Sequence, residues 1–127
     1  MGIFRIHAQV QEVQGATGIT SVQLFNPPQA IYITKFADIT EKNLIQFQQV
    51  RDGRVLVRLD QTGTRLLEAL TSNSMGKMIV IIVNGRVVYS PKVDIPLREG
   101  ALLLPSNSIS EEDIILMVQT MKYLARR

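Results

Sequence analysis

Residues 76–93, GKMIVIIVNGRVVYSPKV, constrain the fold more than any other stretch of this chain. Met78 to Val83 is an unbroken apolar run, rich in β-branched side chains and too short to cross a bilayer, so it reads as a buried strand. Asn84-Gly85 then supplies two residues tolerant of positive φ, as a type I′ hairpin turn requires. Val87, Val88 and Tyr89 continue as a second strand until Pro91, which lacks the N–H needed for further ladder bonding. A hairpin of this kind is a structural element and brings no chemistry by itself.

The remainder of the chain must supply what covers that strand. Phe4, Ile6, Ala8 and Val10 alternate with Arg5, His7, Gln9 and Gln11, the period of two of a half-buried strand with His7 on its solvated side. Residues 14–18 read as a loop, and Thr20 to Phe25 as a second strand antiparallel to the first. Asn26-Pro27-Pro28 breaks the pattern and marks a subdomain boundary. Ile31 to Phe36 reads as a short strand. Thr40 is placed to cap a helix carrying Leu44, Phe47 and Val50 inward, with Glu41 in its first turn. Asp52-Gly53 turns the chain into an alternating strand with Val55, Val57 and Leu59 inward. A helix over 61–73 follows, capped by Asp60 or Thr62, with Leu66, Leu67 and Leu70 at helical spacing.

Strand, helix and all-apolar strand in that order predict a right-handed βαβ unit. Ala101 to Leu104 is a further short strand, stopped by Pro105. Ser110-x-x-Asp113 resembles a capping box opening a last helix, whose Ile114, Met117, Val118, Met121 and Leu124 or Ala125 form one stripe. The expected fold class is α+β: a mixed sheet with helices on one face, including the βαβ unit and the central hairpin, plus an N-terminal β-hairpin. The organisation expected is one domain over 1–127, with residues 1–26 as the hairpin extension and 31–127 as the core.

With 46% hydrophobic and 20% charged residues the chain has the composition of a folded domain. It contains no cysteine, which excludes a disulfide framework, a thiolate nucleophile and a Cys-based zinc site. The net charge of +3 is dispersed, with acids near many of the basic residues and only the tail, Lys122, Arg126 and Arg127, locally basic, and there is no Trp. A nucleic-acid footprint clusters its positive charge and offers stacking aromatics, so no nucleic-acid partner is expected. No apolar run suits a membrane span or a signal peptide, since Arg5, His7 and Gln9 interrupt the first residues.

Few residues carry candidate chemistry. His7, the single histidine, lacks a positioned partner in the sequence, and a hydrolase resting on it is the weakest of the functional readings. Glu111-Glu112-Asp113 has the donors for a hard cation but also obeys the dipole rule for a helix start. Ser90, Ser106, Ser108 and Ser110 lie in no nucleophile motif. Gly63, Gly76, Gly85 and Gly100 are spaced as turn and cap glycines, without a phosphate-binding fingerprint. Met75, Met78, Met117 and Met121 sit at core spacing, although methionines also serve pliable binding surfaces. No catalytic residue, cofactor or metal is expected, and the chain does not read as an enzyme.

The order of these elements carries a resemblance. A strand ending in Asp60 with Gly63 three residues on opens a helix. Gly76-Lys77 leads into the apolar strand, with Asn84-Gly85-Arg86-Val87-Val88 at the turn and Pro91 after it. Gly100 precedes a short strand, and Ser110-x-x-Asp113 opens the final helix. From Ile31 to Leu124 this series resembles the head subdomain of the first periplasmic domain of SecD, of the SecDF preprotein translocase accessory family. The chain departs from the family's pattern at Asn84, where Asp is usual, and at 103–107, where a Gly-rich segment is usual. The resemblance does not reach the base subdomain or the transmembrane bundle that holds the proton-coupling acid.

What it implies is an extracytoplasmic, non-enzymatic module that contacts unfolded or exported polypeptide through a sheet edge or an apolar groove. The residues forming such a surface are not specified by the sequence. The alternative expectation is an assembly domain that self-associates through its N-terminal strands, Ile3–Phe25.

Overall fold

The apolar run and its Asn-Gly turn form the hairpin expected of them. The computed structural model describes residues 3–11, 18–25, 28–34 and 37–125. The elements in chain order are β1 (Phe4–Val10), β2 (Ile19–Phe25), β3 (Pro28–Thr34), β4 (Ile39–Thr40), a 3₁₀ turn (Glu41–Asn43) and β5 (Leu44–Gln49). They continue with β6 (Val55–Leu59), α1 (Gln61–Ser72), β7 (Ile79–Val83), β8 (Arg86–Tyr89), β9 (Ala101–Leu104) and α2 (Glu111–Ala125). Asn84 at φ 49° and Gly85 at φ 81° both occupy the left-handed region, as the type I′ turn demands.

The fold class is α+β, built on two sheets. The larger runs β2-β3-β1-β7-β8 with β4 attached to β1, and the smaller runs β5-β6-β9. All five residues of β7 are buried, because the strand is covered on both faces. Ile79, Ile81 and Val83 belong to the main core. With them lie Phe4 and Ile6 of β1, Val55, Val57 and Leu59 of β6, Leu67 of α1 and Met117 of α2. Val80 and Ile82 face the other way, into a second cluster with Leu24, Ile31 and Ile33 of β2 and β3. The helices therefore lie on one face of the larger sheet, and the β2–β3 hairpin folds across the other.

Several details differ from the sequence-based expectation. β2 pairs with β3, with Phe25 opposite Pro28, so the boundary expected at 26–28, of which residues 26 and 27 lie outside the described residues, falls between two paired strands of one sheet. β1 does not pair with β2. It is inserted between β3 and β7, and its Phe4 and Ile6 are core residues, so 1–26 is not an appended extension. His7, expected in solvent, is 1% exposed, because the hairpin covers the face of β1 that the polar alternation assigned to water. Every pairing among the described strands is antiparallel. No βαβ unit forms: β6 already has β5 and β9 on its two sides, so the chain leaving α1 enters the other sheet.

The helix expected after Thr40 is a strand. Thr40 does cap, accepting from the Lys42 N–H at 3.4 Å, but it caps only the 3₁₀ turn. Leu44 pairs with Leu59 and Gln46 with Arg58, so Ile45 is the extra residue of a β-bulge. The bulge turns both Leu44 and Phe47 inward and leaves Ile45 exposed. A spacing of three on one face, which imitates a helix, is here a bulged strand.

The Asp60-x-x-Gly63 series builds the joint between the sheets and α1. Asp60 Oδ1 accepts from the Gly63 N–H at 2.7 Å, capping the helix, while the Asp60 N–H donates to the Asn43 carbonyl at 2.7 Å. A Cβ at Gly63 would stand 2.8 Å from the Asn43 Cβ and 3.0 Å from the Leu59 Cβ, both too near the backbone to yield. Gly100 adopts φ 68° against Thr64, and its carbonyl accepts from the Leu59 N–H at 2.8 Å. Asp60→Ala should cost about 1 kcal/mol as a lost cap. Gly63→Ala should cost about 1–3 kcal/mol through overpacking, despite the better helix propensity of Ala. Urea denaturation of the two variants measures both, and a Gly63→Ala variant as stable as the parent would refute the close-approach account.

Candidate functional site

Unpaired sheet edges and apolar surface mark the surface most suited to binding. β9 is an edge strand of the smaller sheet. Its pairing with β6 sets Arg58 opposite Ala101 and Val55 opposite Leu104. Leu59 and Gly100 stand opposite each other and are joined by the Leu59 N–H to Gly100 carbonyl bond. Antiparallel alternation then aims the main-chain groups of Leu102 and Leu104 at β6 and turns the N–H and C=O of Ala101 and Leu103 outward.

Beside β9 lies a groove of about 330 Å³, whose lining runs from Tyr89 at the end of β8 through the 91–97 connection to Leu103. Val93 and Leu102 are buried in its floor, whereas Ile95 is 67% and Leu103 44% exposed. The connection is held in place by main-chain bonds: the Ile79 N–H donates to the Pro91 carbonyl, and Val93 exchanges bonds with Gly76 and Lys77. The Leu97 N–H donates to the Thr71 Oγ1 of α1 at 2.9 Å. The groove is thus apolar, rimmed by Lys92 and Asp94, and backed by a strand edge that offers main-chain donors and acceptors.

The residues weighed in the sequence are distributed elsewhere and are not brought together. His7 lies under the β2–β3 hairpin. Burial, with Arg5 nearby, pushes its imidazole below its ordinary range, while the Thr34 main chain and Asp38 act in the opposite sense. Ser90 Oγ donates to the Ile79 carbonyl at 2.9 Å, Ser108 Oγ to that of Pro105 at 2.6 Å and Ser106 Oγ to that of Asp52 at 2.9 Å. Ser110 Oγ accepts from the Asp113 N–H at 3.1 Å, capping α2. The Asp113 carboxylate accepts from the Asn84 side-chain amide at 3.0 Å, tying α2 to the β7–β8 turn. Among the described residues no group of three or more metal-ligating side chains converges. Met117 is core, whereas Met75 is exposed and away from the groove.

The groove was not legible as a site in the sequence. The signal available was the run from Pro91 to Pro96, an irregular connection too apolar for a solvated loop. Because Ile95 and Leu103 already face solvent, Ile95→Ser and Leu103→Ser should each change stability by no more than about 0.5 kcal/mol. Thermal melts check this, and a large loss would make these side chains part of the core.

No family model matches the chain. Among curated proteins it is similar to the protein translocase subunit SecD of Dictyoglomus turgidum, at 30% identity over 56 residues. It is also similar to SecD of Acetobacter pasteurianus, at 24% identity over 90 residues. These stretches cover 44% and 65% of this chain but 14% and 17% of the two relatives, so the chain spans less than a fifth of their length. Among solved structures it is similar to SecDF, described as a membrane component that enhances protein export. The TM-score is 0.65 at 20% identity, over 94% of this chain and 62% of that one. Similarity to SecDF in its super-membrane-facing form gives a TM-score of 0.66 at 18% identity, over 94% of this chain and 19% of that one. The chain is SecD-like in sequence and shares its fold with these SecDF structures.

Proposed function

We propose that this chain is a non-enzymatic, extracytoplasmic module of protein export that holds extended polypeptide in the groove beside β9. The observation that carries the reading is the juxtaposition of outward main-chain groups on Ala101 and Leu103 with the apolar walls at Tyr89, Ile95 and Leu103. An extended segment added as a fourth strand to the smaller sheet would bond through its backbone, which every sequence shares. Its alternate side chains would meet the apolar walls. Low sequence selectivity with a preference for apolar residues is what exported, unfolded chains require. The SecD-like sequence supports the link to export and the placement outside the cytoplasm.

Self-association remains as a second reading at β2, whose outer edge has no partner among the described strands. β1 is already flanked by β7 on one side and by β3 and β4 on the other, so it offers no edge to a second copy.

The domain should bind a permanently unfolded model protein and an apolar extended peptide, and should not bind the folded form of the same protein. Ile95→Ser with Leu103→Ser should weaken binding by about tenfold or more, since each lost apolar contact is worth about 1 kcal/mol or more. N-methylation of alternate residues of the peptide should abolish binding by removing strand-pairing donors. Equal affinity for folded and unfolded forms, or indifference to both changes, would overturn the reading.

A further inference from the structure

His7 is a buried polar side chain that neither the fold nor the groove uses. It stands opposite Val80 on the β1–β7 pair, so it shares the sheet face that carries the second apolar cluster. Its ring is 1% exposed, and neither Nδ1 nor Nε2 has a hydrogen bond of good geometry. Arg5, two residues away on the same face, has a buried Nε in the same condition. A neutral imidazole with no more than the Thr34 main chain near it is tolerated in such a place at moderate cost. An imidazolium there would lack both water and a counter-ion in contact, and would lie close to a second positive charge.

What covers His7 is joined to the rest of the sheet by a short seam. β2 and β3 pair with each other over seven positions, so the hairpin is a unit. Among the described residues, that unit pairs with the remaining sheet at Gln9↔Ile33 and Val10↔Tyr32. Its other hold is the second cluster, where Leu24, Ile31 and Ile33 sit on Val80 and Ile82. The main core lies on the opposite face and shares no residue with this cluster.

We infer that the β2–β3 hairpin is a proton-sensitive cover, which loosens from the sheet when His7 is protonated and uncovers the apolar face formed by Val80 and Ile82. The charged and titratable groups acting on His7 are Arg5 on its own strand, which opposes protonation, and Asp38 after β3, which favours it. The described residues of β2 include no titratable side chain, and Tyr32 of β3 alternates away from the inward Ile31 and Ile33. From β7 the facing residues are Val80 and Ile82, both apolar. Burial makes the closed state bind fewer protons than the open state. The closed form is thus fully favoured above the ordinary histidine range and loses ground as pH falls through it. Over that window one proton changes the open-to-closed ratio by about tenfold per pH unit.

The test is amide hydrogen exchange and histidine NMR on the full chain between about pH 7.5 and pH 5, within reach of the only side-chain type that normally titrates there. After correction for intrinsic exchange, the amides joining β3 to β1 should lose protection by about tenfold per pH unit below the histidine range. Those of β5, β6 and β9 should hold theirs. The His7 ring should titrate below its ordinary value in the same scan. In His7→Leu, the β1–β3 amides should keep their protection at every pH. Equal loss of protection in the two sheets, a His7 ring that titrates at its ordinary value, or an unchanged pH slope in His7→Leu would each overturn the inference. The wild-type measurements decide the matter even if the variant does not fold. Neither depends on the groove beside β9.

Discussion

Burial of β7 on both faces is the constraint on which the other elements depend. Each of its five side chains is worth about 1.5–3 kcal/mol when removed from water, so leaving either face open would forfeit a large share of the stability of a domain this size. The odd-numbered face is closed by α1, α2 and the smaller sheet, and the even-numbered face by the β2–β3 hairpin. β1 and β8 satisfy the two hydrogen-bonding sides. Only a strand with no polar residue could occupy that position, and Ile79–Val83, closed by the Asn84-Gly85 turn, is such a run.

The residues that carry the SecD resemblance act mostly as scaffold. Asp60 and Gly63 let α1 start against the 3₁₀ turn, and Gly100 brings the chain close to Thr64 and into β9. Asn84 and Asp113 fasten the central turn to the last helix. None of these lines the groove directly, yet Gly100 places the first residue of the free β9 edge, and the 91–97 connection is anchored on α1 through Thr71. The surface proposed to bind polypeptide is therefore positioned by motif residues and made, Pro91 apart, of residues outside the motif.

Local patterns were reliable wherever one periodicity and its end signals agreed. The β7–β8 hairpin, β6, α1 with its Asp60 cap, β9 and α2 all stand where their spacing puts them. They misled where a local irregularity copied another period: the bulge at Ile45 set Leu44 and Phe47 three apart on one face, and a strand read as a helix. They also misled where burial came from distant chain. His7 alternates with core residues and so reads as solvated, but it is buried on the face that carries the second cluster, with the Thr34 main chain of β3 beside it. The groove had no local signature, because it arises from the meeting of a connection and an edge strand whose side chains look like ordinary core.

The amino-acid sequence by itself determined which segments are strands and helices over most of the chain, where the tight turns fall, and that one strand must be enclosed. Those properties follow from side-chain periodicity, positive-φ turn residues and capping groups, all of which act within a few positions. The tertiary structure alone decided which strands are neighbours, that the second strand of the N-terminal region pairs forward and not back, and which edge remains open. Strand partners are chosen by the total apolar area that can be closed over β7 and by which edges are already filled. Both are properties of the whole assembly of elements, and no single segment contains them.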